Sequence, residues 1–311
     1  MADLTTDIAV IGAGIAGAAA AAELAGNFDT LLLERESQPG YHSTGRSAAL
    51  LIPGYGGPVN TALTQASLPD LEQPAAAFHS APLLSPRGLL WVADTGGVPD
   101  LPAGIRLDSA AARALFPALN PDWLAGAVLD ASVRDIDVHG LLTGCLRRLR
   151  ARGGRLLTDA NVTALRRDGD GWRIDSHAGT IFAHRLVNAA GAWSDTVAAM
   201  AGLTPLGLEP RRRTMITFDG PPGLDVTRLP CLCDVRDGFY VKPEGGRLLG
   251  SPADATPCPA SDAQPEELDV AIAIDRIIRA TSLSIRRIHH RWAGLRVFAR
   301  DGAPVVGPDP R

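Results

Sequence analysis

The sequence has 311 residues, enough for two domains or one large α/β unit. Thirty Lys and Arg against 34 Asp and Glu leave a net charge of −4, which excludes the global basic field of a nucleic-acid or anionic-membrane binder. A single lysine, Lys242, argues against Schiff-base chemistry, and four scattered cysteines, Cys145, Cys231, Cys233 and Cys258, support neither a disulfide framework nor a tetrahedral zinc site.

In chain order, a short apolar run over residues 7–11 reads as a strand, followed by Gly12, Gly14 and Gly17 in GxGxxG spacing and an Ala-rich helix over about 15–25. Residues 30–33 read as the next buried strand, ending at Glu34. This is a βαβ unit in the order of a dinucleotide fingerprint. Gly12 would allow the tight turn, Gly14 the approach of backbone to a pyrophosphate, and Gly17 close packing of helix on strand. The helix N-terminus adds free N–H groups and a positive dipole for phosphate. Glu34, 20 residues beyond Gly14, would accept hydrogen bonds from an adenosine ribose and repel a 2′-phosphate. The longest apolar stretch, residues 8–22, falls short of the ~20 residues that span a bilayer, so a soluble cytoplasmic protein is expected.

Residues 38–48 are rich in Ser, Thr, Gly and Arg46, donors suited to a second face of a phosphate-bearing cofactor. The stretch 51–135, with many prolines and short apolar pieces, suggests excursions away from the nucleotide sheet. Residues 139–152 form an amphipathic helix with Leu142, Cys145, Leu146 and Leu149 on one face; its arginines read as a solvated face, not a nucleic-acid patch. Strands follow at 171–175, 180–183 and 186–191, then at 239–243 and 247–250 around Gly245-Gly246, and a helix at 268–283 with Leu268, Ala271, Ile272, Ile274, Asp275, Ile278 and Thr281 spaced for mixed burial. No metal spacing is present, His289-His290 included.

The segments 10–17, 33–36, 38–49, 82–87, 186–193, 205–208, 248–253 and 292–296 together resemble the D-amino-acid oxidase superfamily of flavoproteins, most closely its D-arginine dehydrogenase-like branch. The resemblance implies bound FAD and an α/β fold: a Rossmann-like FAD-binding domain, discontinuous at 1–50, 136–200 and 294–311, and a β-rich α+β substrate domain at 51–135 and 201–293. It assigns Gly12, Gly14, Gly17, Glu34, Arg35, His42, Ser43, Thr44, Arg46, Ser47, Ala190, Gly191 and Trp193 to the cofactor. For His42 a purely structural hydrogen bond stays equally open.

By motif position Arg213 and Arg296 resemble the family's carboxylate-binding arginines, and Tyr55 and Tyr240 its substrate-facing tyrosines. The implied reaction oxidises a D-amino acid by hydride transfer to flavin N5, giving an imino acid that water hydrolyses; no general base is nominated. Leu89 stands where the D-arginine dehydrogenase-like branch has a carboxylate, and Leu50 where it has a histidine. A neutral or apolar substrate is therefore expected. Quinone and oxygen both remain open as acceptors, and so does a glycine, sarcosine or D-amino-acid oxidase. Residues 300–307 resemble the segment before the family's last strand and helix, of which only four residues follow. A shortened or split chain, with a partner chain supplying that element, is the competing expectation.

Overall fold

A computed structural model describes residues 4–95, 97–101 and 104–309. The outer limits of the expected FAD-binding domain, residues 1–3 and 310–311, lie outside them.

The first βαβ unit forms as its residue pattern requires. Strand Leu4–Ile11 lies beside Thr30–Leu33 in parallel register, and helix Ile15–Leu24 crosses between them. The strands are buried on both faces, so their residues alternate between two cores: Ile8, Val10 and Leu32 face helices Ile15–Leu24 and Val138–Ala151, while Ala9, Ile11, Leu31 and Leu33 face the other side. Alanines 18, 21 and 22 let the two helices approach closely. The second helix starts at an Asp137 cap, whose carboxylate accepts the Gly140 N–H at 2.7 Å. It buries Leu142, Cys145, Leu146 and Leu149, the face expected from their spacing.

The first sheet has six strands in the order Val162–Asp168, Gly171–Ser176, Gly179–Asn188, Leu4–Ile11, Thr30–Leu33 and Arg155–Leu157. The two strands expected at 180–183 and 186–191 are one, Gly179–Asn188. Its first half pairs with Gly171–Ser176 and its second half only with Leu4–Ile11, so residues 184–188 carry an open edge among the described residues.

The second sheet has nine strands. Its centre is built from Glu209–Phe218, Arg247–Ser251, Tyr240–Glu244, Cys231–Asp234, Leu89–Ala93 and Gly126–Asp130, with Ile288–Phe298 on Glu209–Phe218. One face carries Leu90, Val92, Ile216, Leu232, Val241 and Leu248 into a core with helices Ser109–Leu115 and Glu267–Ala280. The latter helix ends before the expected limit of 283, because Thr281 turns extended and bridges to Leu119. Its burial is mixed, as expected: Val270, Ala273 and Ile277 are buried, whereas Leu268 and Ile278 are exposed. Asp269 is drawn inward by Arg212, whose Nη2 lies 2.8 Å from its carboxylate.

A small third sheet, Leu50–Leu51, Arg134–Ile136 and Leu84–Pro86, stands where the chain leaves the first sheet and returns to it. Strand Ile288–Phe298 continues through the expected 293/294 boundary within the second sheet. Among the described residues no helix is long and apolar enough to cross a membrane.

Candidate active site

Two cavities adjoin between the sheets. The first, about 270 Å³, opens at the N-terminus of helix Ile15–Leu24. Gly12 has φ +102°, and a Cβ there would strike the Ala189 carbonyl at 2.5 Å; one on Gly17 would lie 1.8 Å from the Gly12 carbonyl. Turn and helix thus fit only without side chains. A Cβ on Gly14 would meet only the Thr44 hydroxyl, at 3.3 Å, so that glycine leaves a cradle free for a ligand. Thr44 Oγ1 accepts the Ile15 N–H at 3.0 Å, which fixes residues 40–44 over the helix end.

Glu34 is buried, its two oxygens taking the N–H groups of Ala13 (2.9 Å) and Glu36 (3.0 Å). Each oxygen keeps a lone pair for a ribose hydroxyl. The rest of this wall is a stack: the Arg35 guanidinium lies 4.7 Å from the Trp193 ring, and His42 packs on the same ring at 4.6 Å while its Nε2 sits 2.8 Å from Glu36 Oε1. His42 therefore lines the cavity and is also held structurally. With Ala190, Gly191 and Ser43 lining the same space, a helix N-terminus for phosphate, a carboxylate for ribose and planar groups for an aromatic ring are assembled together, and these residues fit FAD.

Two cofactor expectations, Arg46 and Ser47, fall elsewhere. Gly17 lies behind the turn, where it allows the close packing its spacing predicts, and does not itself line the cavity. The Arg46 guanidinium is spent on Asp262 and on the carbonyls of Tyr41, Ala263 and Ala293, so it clamps the 41–46 segment onto strand Ile288–Phe298. Ser47 donates to the Thr44 carbonyl and, like Arg46, lines the second cavity.

The second cavity, about 630 Å³, shares Ser43 with the first. Its floor is the remaining face of the nine-stranded sheet, as a period of two requires: Leu89 and Trp91, Cys231 and Cys233, Arg213 and Met215, Gly294 and Arg296, with Tyr240 opposite Cys233. Arg213 pairs with Gly294, which makes Arg296 its diagonal neighbour on the same face, about 7–8 Å away between Cα atoms. Arg213 Nε is buried with no hydrogen-bond partner. Arg296 forms no ion pair among the described residues and stacks over Tyr55 at 5.9 Å and Phe298 at 5.3 Å. Arg213, Arg296, Tyr240, Tyr55 and Leu89 are thus brought to one cavity.

Burial raises the Tyr240 phenol above its ordinary range, so it stays a protonated donor. Burial likewise pushes the Cys231 thiol up to about 12, and Cys233 well above its usual value; neither is a nucleophile here.

Sequence reasoning missed the roof. Helix Gly57–Glu72 lies across the cavity through Asn60, Leu63, Thr64, Ser67 and Leu71, and none of its residues is buried. The spacing of those five positions is helical, but with weak apolar contrast and Pro69 inside, nothing marked it as an element. Trp91 and Met215 were readable as the residues two beyond Leu89 and Arg213. Asp237, on the turn after strand Cys231–Asp234, is the one carboxylate lining this cavity among the described residues, and it is exposed.

Dimethylglycine dehydrogenase of Rattus norvegicus is 31% identical over 143 residues, 45% of this chain and 17% of that protein. Hydrogen cyanide synthase subunit HcnC of Pseudomonas aeruginosa is 28% identical over 218 residues, 68% of this chain and 50% of that one. The chain therefore matches half or less of the length of these curated relatives. Among solved structures, glycine oxidase from Geobacillus kaustophilus superposes with a TM-score of 0.81 at 22% identity, over 99% of this chain and 86% of that one. L-proline dehydrogenase from P. horikoshii gives 0.82 at 20% identity, over 98% and 85%. At such identities the superpositions establish the fold. The family model described as FAD dependent oxidoreductase (DAO) matches residues 7–311, and the chain belongs to that family.

Proposed function

We propose that this flavoprotein oxidises the CH–NH2 bond of D-amino acids with neutral or apolar side chains, releasing imino acids that water converts to 2-oxo acids and ammonia. The observation that carries the reading is Arg213: a guanidinium with a buried, unpartnered Nε, in a cavity that adjoins the nucleotide site. A carboxylate is the anion that pairs best with such a fork, and Arg296, its diagonal neighbour, can grip the same group. Tyr240 donates from the floor and Tyr55 from the rim. FAD, when bound, supplies the acceptor for the hydride leaving Cα. The chain's part is to hold that hydrogen toward the ring and to keep water out.

The side-chain wall is apolar where it is buried, with Leu89 at 1% exposure and Trp91 beside it. Asp237 is solvated at the rim, so a guanidinium on the Leu89 side would lose its water without a partner. Relatives with names such as glycine oxidase and dimethylglycine dehydrogenase support amine oxidation next to a carboxylate.

The test is anaerobic mixing of the FAD-loaded protein with D-leucine, D-methionine, D-arginine, their L-forms, glycine and sarcosine, following loss of visible flavin absorbance. D-leucine and D-methionine are expected to bleach it fastest. Faster bleaching by D-arginine overturns the apolar wall, and no bleaching by any of them overturns the reading. Reoxidation in air against a quinone dye then identifies the acceptor.

A further inference from the structure

Lys242, the only lysine of the sequence, is 2% exposed and has no place among the groups above. A buried ammonium is tolerated only when its N–H groups find acceptors. Three oxygens surround it: Ala48 O at 2.9 Å, Asp135 Oδ1 at 3.1 Å and Glu244 Oε2 at 3.2 Å. The Asp135 contact lies off the angle of a hydrogen bond, so the Ala48 carbonyl is the contact with direction. Asp135 is held from its other side by Arg87, whose Nη1 is anchored to the Thr227 and Leu229 carbonyls. Ala48 lies where the chain leaves the first sheet, and Asp135 where it returns. One ammonium therefore fastens both crossings to the nine-stranded sheet.

The consequence lies in the next peptide. A trans peptide is planar, with its carbonyl and N–H pointing in opposite directions. With the Ala48 carbonyl turned onto Lys242, the Ala49 N–H points away from that ammonium, and Ala48 and Ala49 both line the second cavity. That N–H meets no acceptor among the described residues. Ala49 has φ 54°, left-handed and unfavourable for a residue with a Cβ. The conformation is pinned from both ends, by Lys242 on the Ala48 carbonyl and by the Ile136 N–H on the Ala49 carbonyl at 2.9 Å. Strain held this firmly beside a cavity, ending in an unused donor, is the form of a preorganised binding group.

We propose that Lys242 is a positioning residue: it fixes and polarises the Ala48–Ala49 peptide and so presents the Ala49 N–H, at the wall of the second cavity, to an acceptor on the edge of the flavin ring. The inference rests on the family's FAD and not on the amino-acid reading, so it is read without any substrate. Lys242→Met keeps the length of the stem and removes the ammonium. With FAD still bound near stoichiometrically, its visible flavin band should shift and its two-electron reduction equilibrium should fall about tenfold, roughly 30 mV more negative. Glu244→Gln, which leaves the Ala48 contact in place, should keep the wild-type band and potential. A wild-type spectrum and potential in Lys242→Met overturns the proposal, as does an equal shift in Glu244→Gln. Should Lys242→Met fail to fold or to hold FAD, the wild-type holoenzyme decides: with ¹⁵N-lysine labelling its Nζ gives a single resonance. That signal should move between oxidised and reduced flavin, and an unmoved signal overturns the proposal.

Discussion

Arg213 shows how a binding group and a stability cost coincide in one atom. A buried, unpaired polar nitrogen costs about 1–3 kcal/mol, while a charge-assisted bond to a carboxylate returns about 1.5–3 kcal/mol. Arg213→Met should therefore raise the melting temperature of the ligand-free protein while lowering kcat/KM roughly 10- to 100-fold; a lower melting temperature would show that the guanidinium is already satisfied. Arg296→Met should raise KM sharply and leave flavin absorbance intact, because Arg296 stacks over Tyr55 and does not line the nucleotide cavity. Unchanged kinetics would remove it from the carboxylate site. Cys231 sets a pH dependence. Its native proton leaves only near 12 against an ordinary 9.0, so the unfolded chain ionises first. The contribution is complete below about pH 9 and is lost as pH rises toward 12. Urea midpoints should fall between pH 8.5 and about 10.5, and less so in Cys231→Ala; equal falls in both would reject this origin.

Elements were legible where one physical cue dominates. The GxGxxG unit is written in steric necessity, and helix Val138–Ala151 in a strong apolar stripe, so both appeared at their places. Helix Gly57–Glu72 was hidden because none of its residues is buried, so no periodic contrast exists to read. Strand Ile288–Phe298 was masked by His289, His290 and Arg291, of which His290 and Arg291 are exposed while His289 is held against Asp219 at 2.7 Å. The inner face of helix Glu267–Ala280 could not be read from the sequence because Asp269 is buried by an ion pair that only the fold brings together. Arg46 was taken for a cofactor donor on its motif, whereas, apart from the Tyr41 carbonyl, its side-chain partners lie 216 to 247 residues away. Gly56 and Gly57, with φ 86° and 87°, lead into the roof helix, which nothing in the core restrains. Gly57→Ala would force a side chain into the left-handed region at a cost of about 1 kcal/mol, stiffening that end. We expect KM to change several-fold with little change in the rate of flavin reduction at saturation. An unchanged KM would mean that the helix stays in place during binding.

At the scale of the whole molecule, the two sheets divide the labour: one carries the nucleotide cradle and the other offers its inner face as a floor. The α/β class was legible because the βαβ unit rests on a local motif, and Arg213, Arg296, Tyr240, Tyr55 and Leu89, expected from their motifs, line one cavity. One strand runs through positions 293 and 294, paired throughout with Glu209–Phe218. The first sheet also keeps an open edge at residues 184–188. Amide exchange should report it: the outward N–H groups of this stretch should exchange fast while those of Leu4–Ile11 stay protected. Uniform protection would reveal a strand or partner covering the edge.

Ser43 lines both cavities, and its hydroxyl donates at 2.6 Å to the carbonyl of Leu295, the residue between Gly294 and Arg296. Anything that orders residues 40–44 also steadies the strand that carries Arg296. Two ligands that share one ordering step are thermodynamically linked, and linkage is reciprocal. Whatever factor FAD contributes to the affinity for a simple carboxylate, that carboxylate must return to the affinity for FAD. The protein would then release its cofactor most readily when the neighbouring cavity is empty.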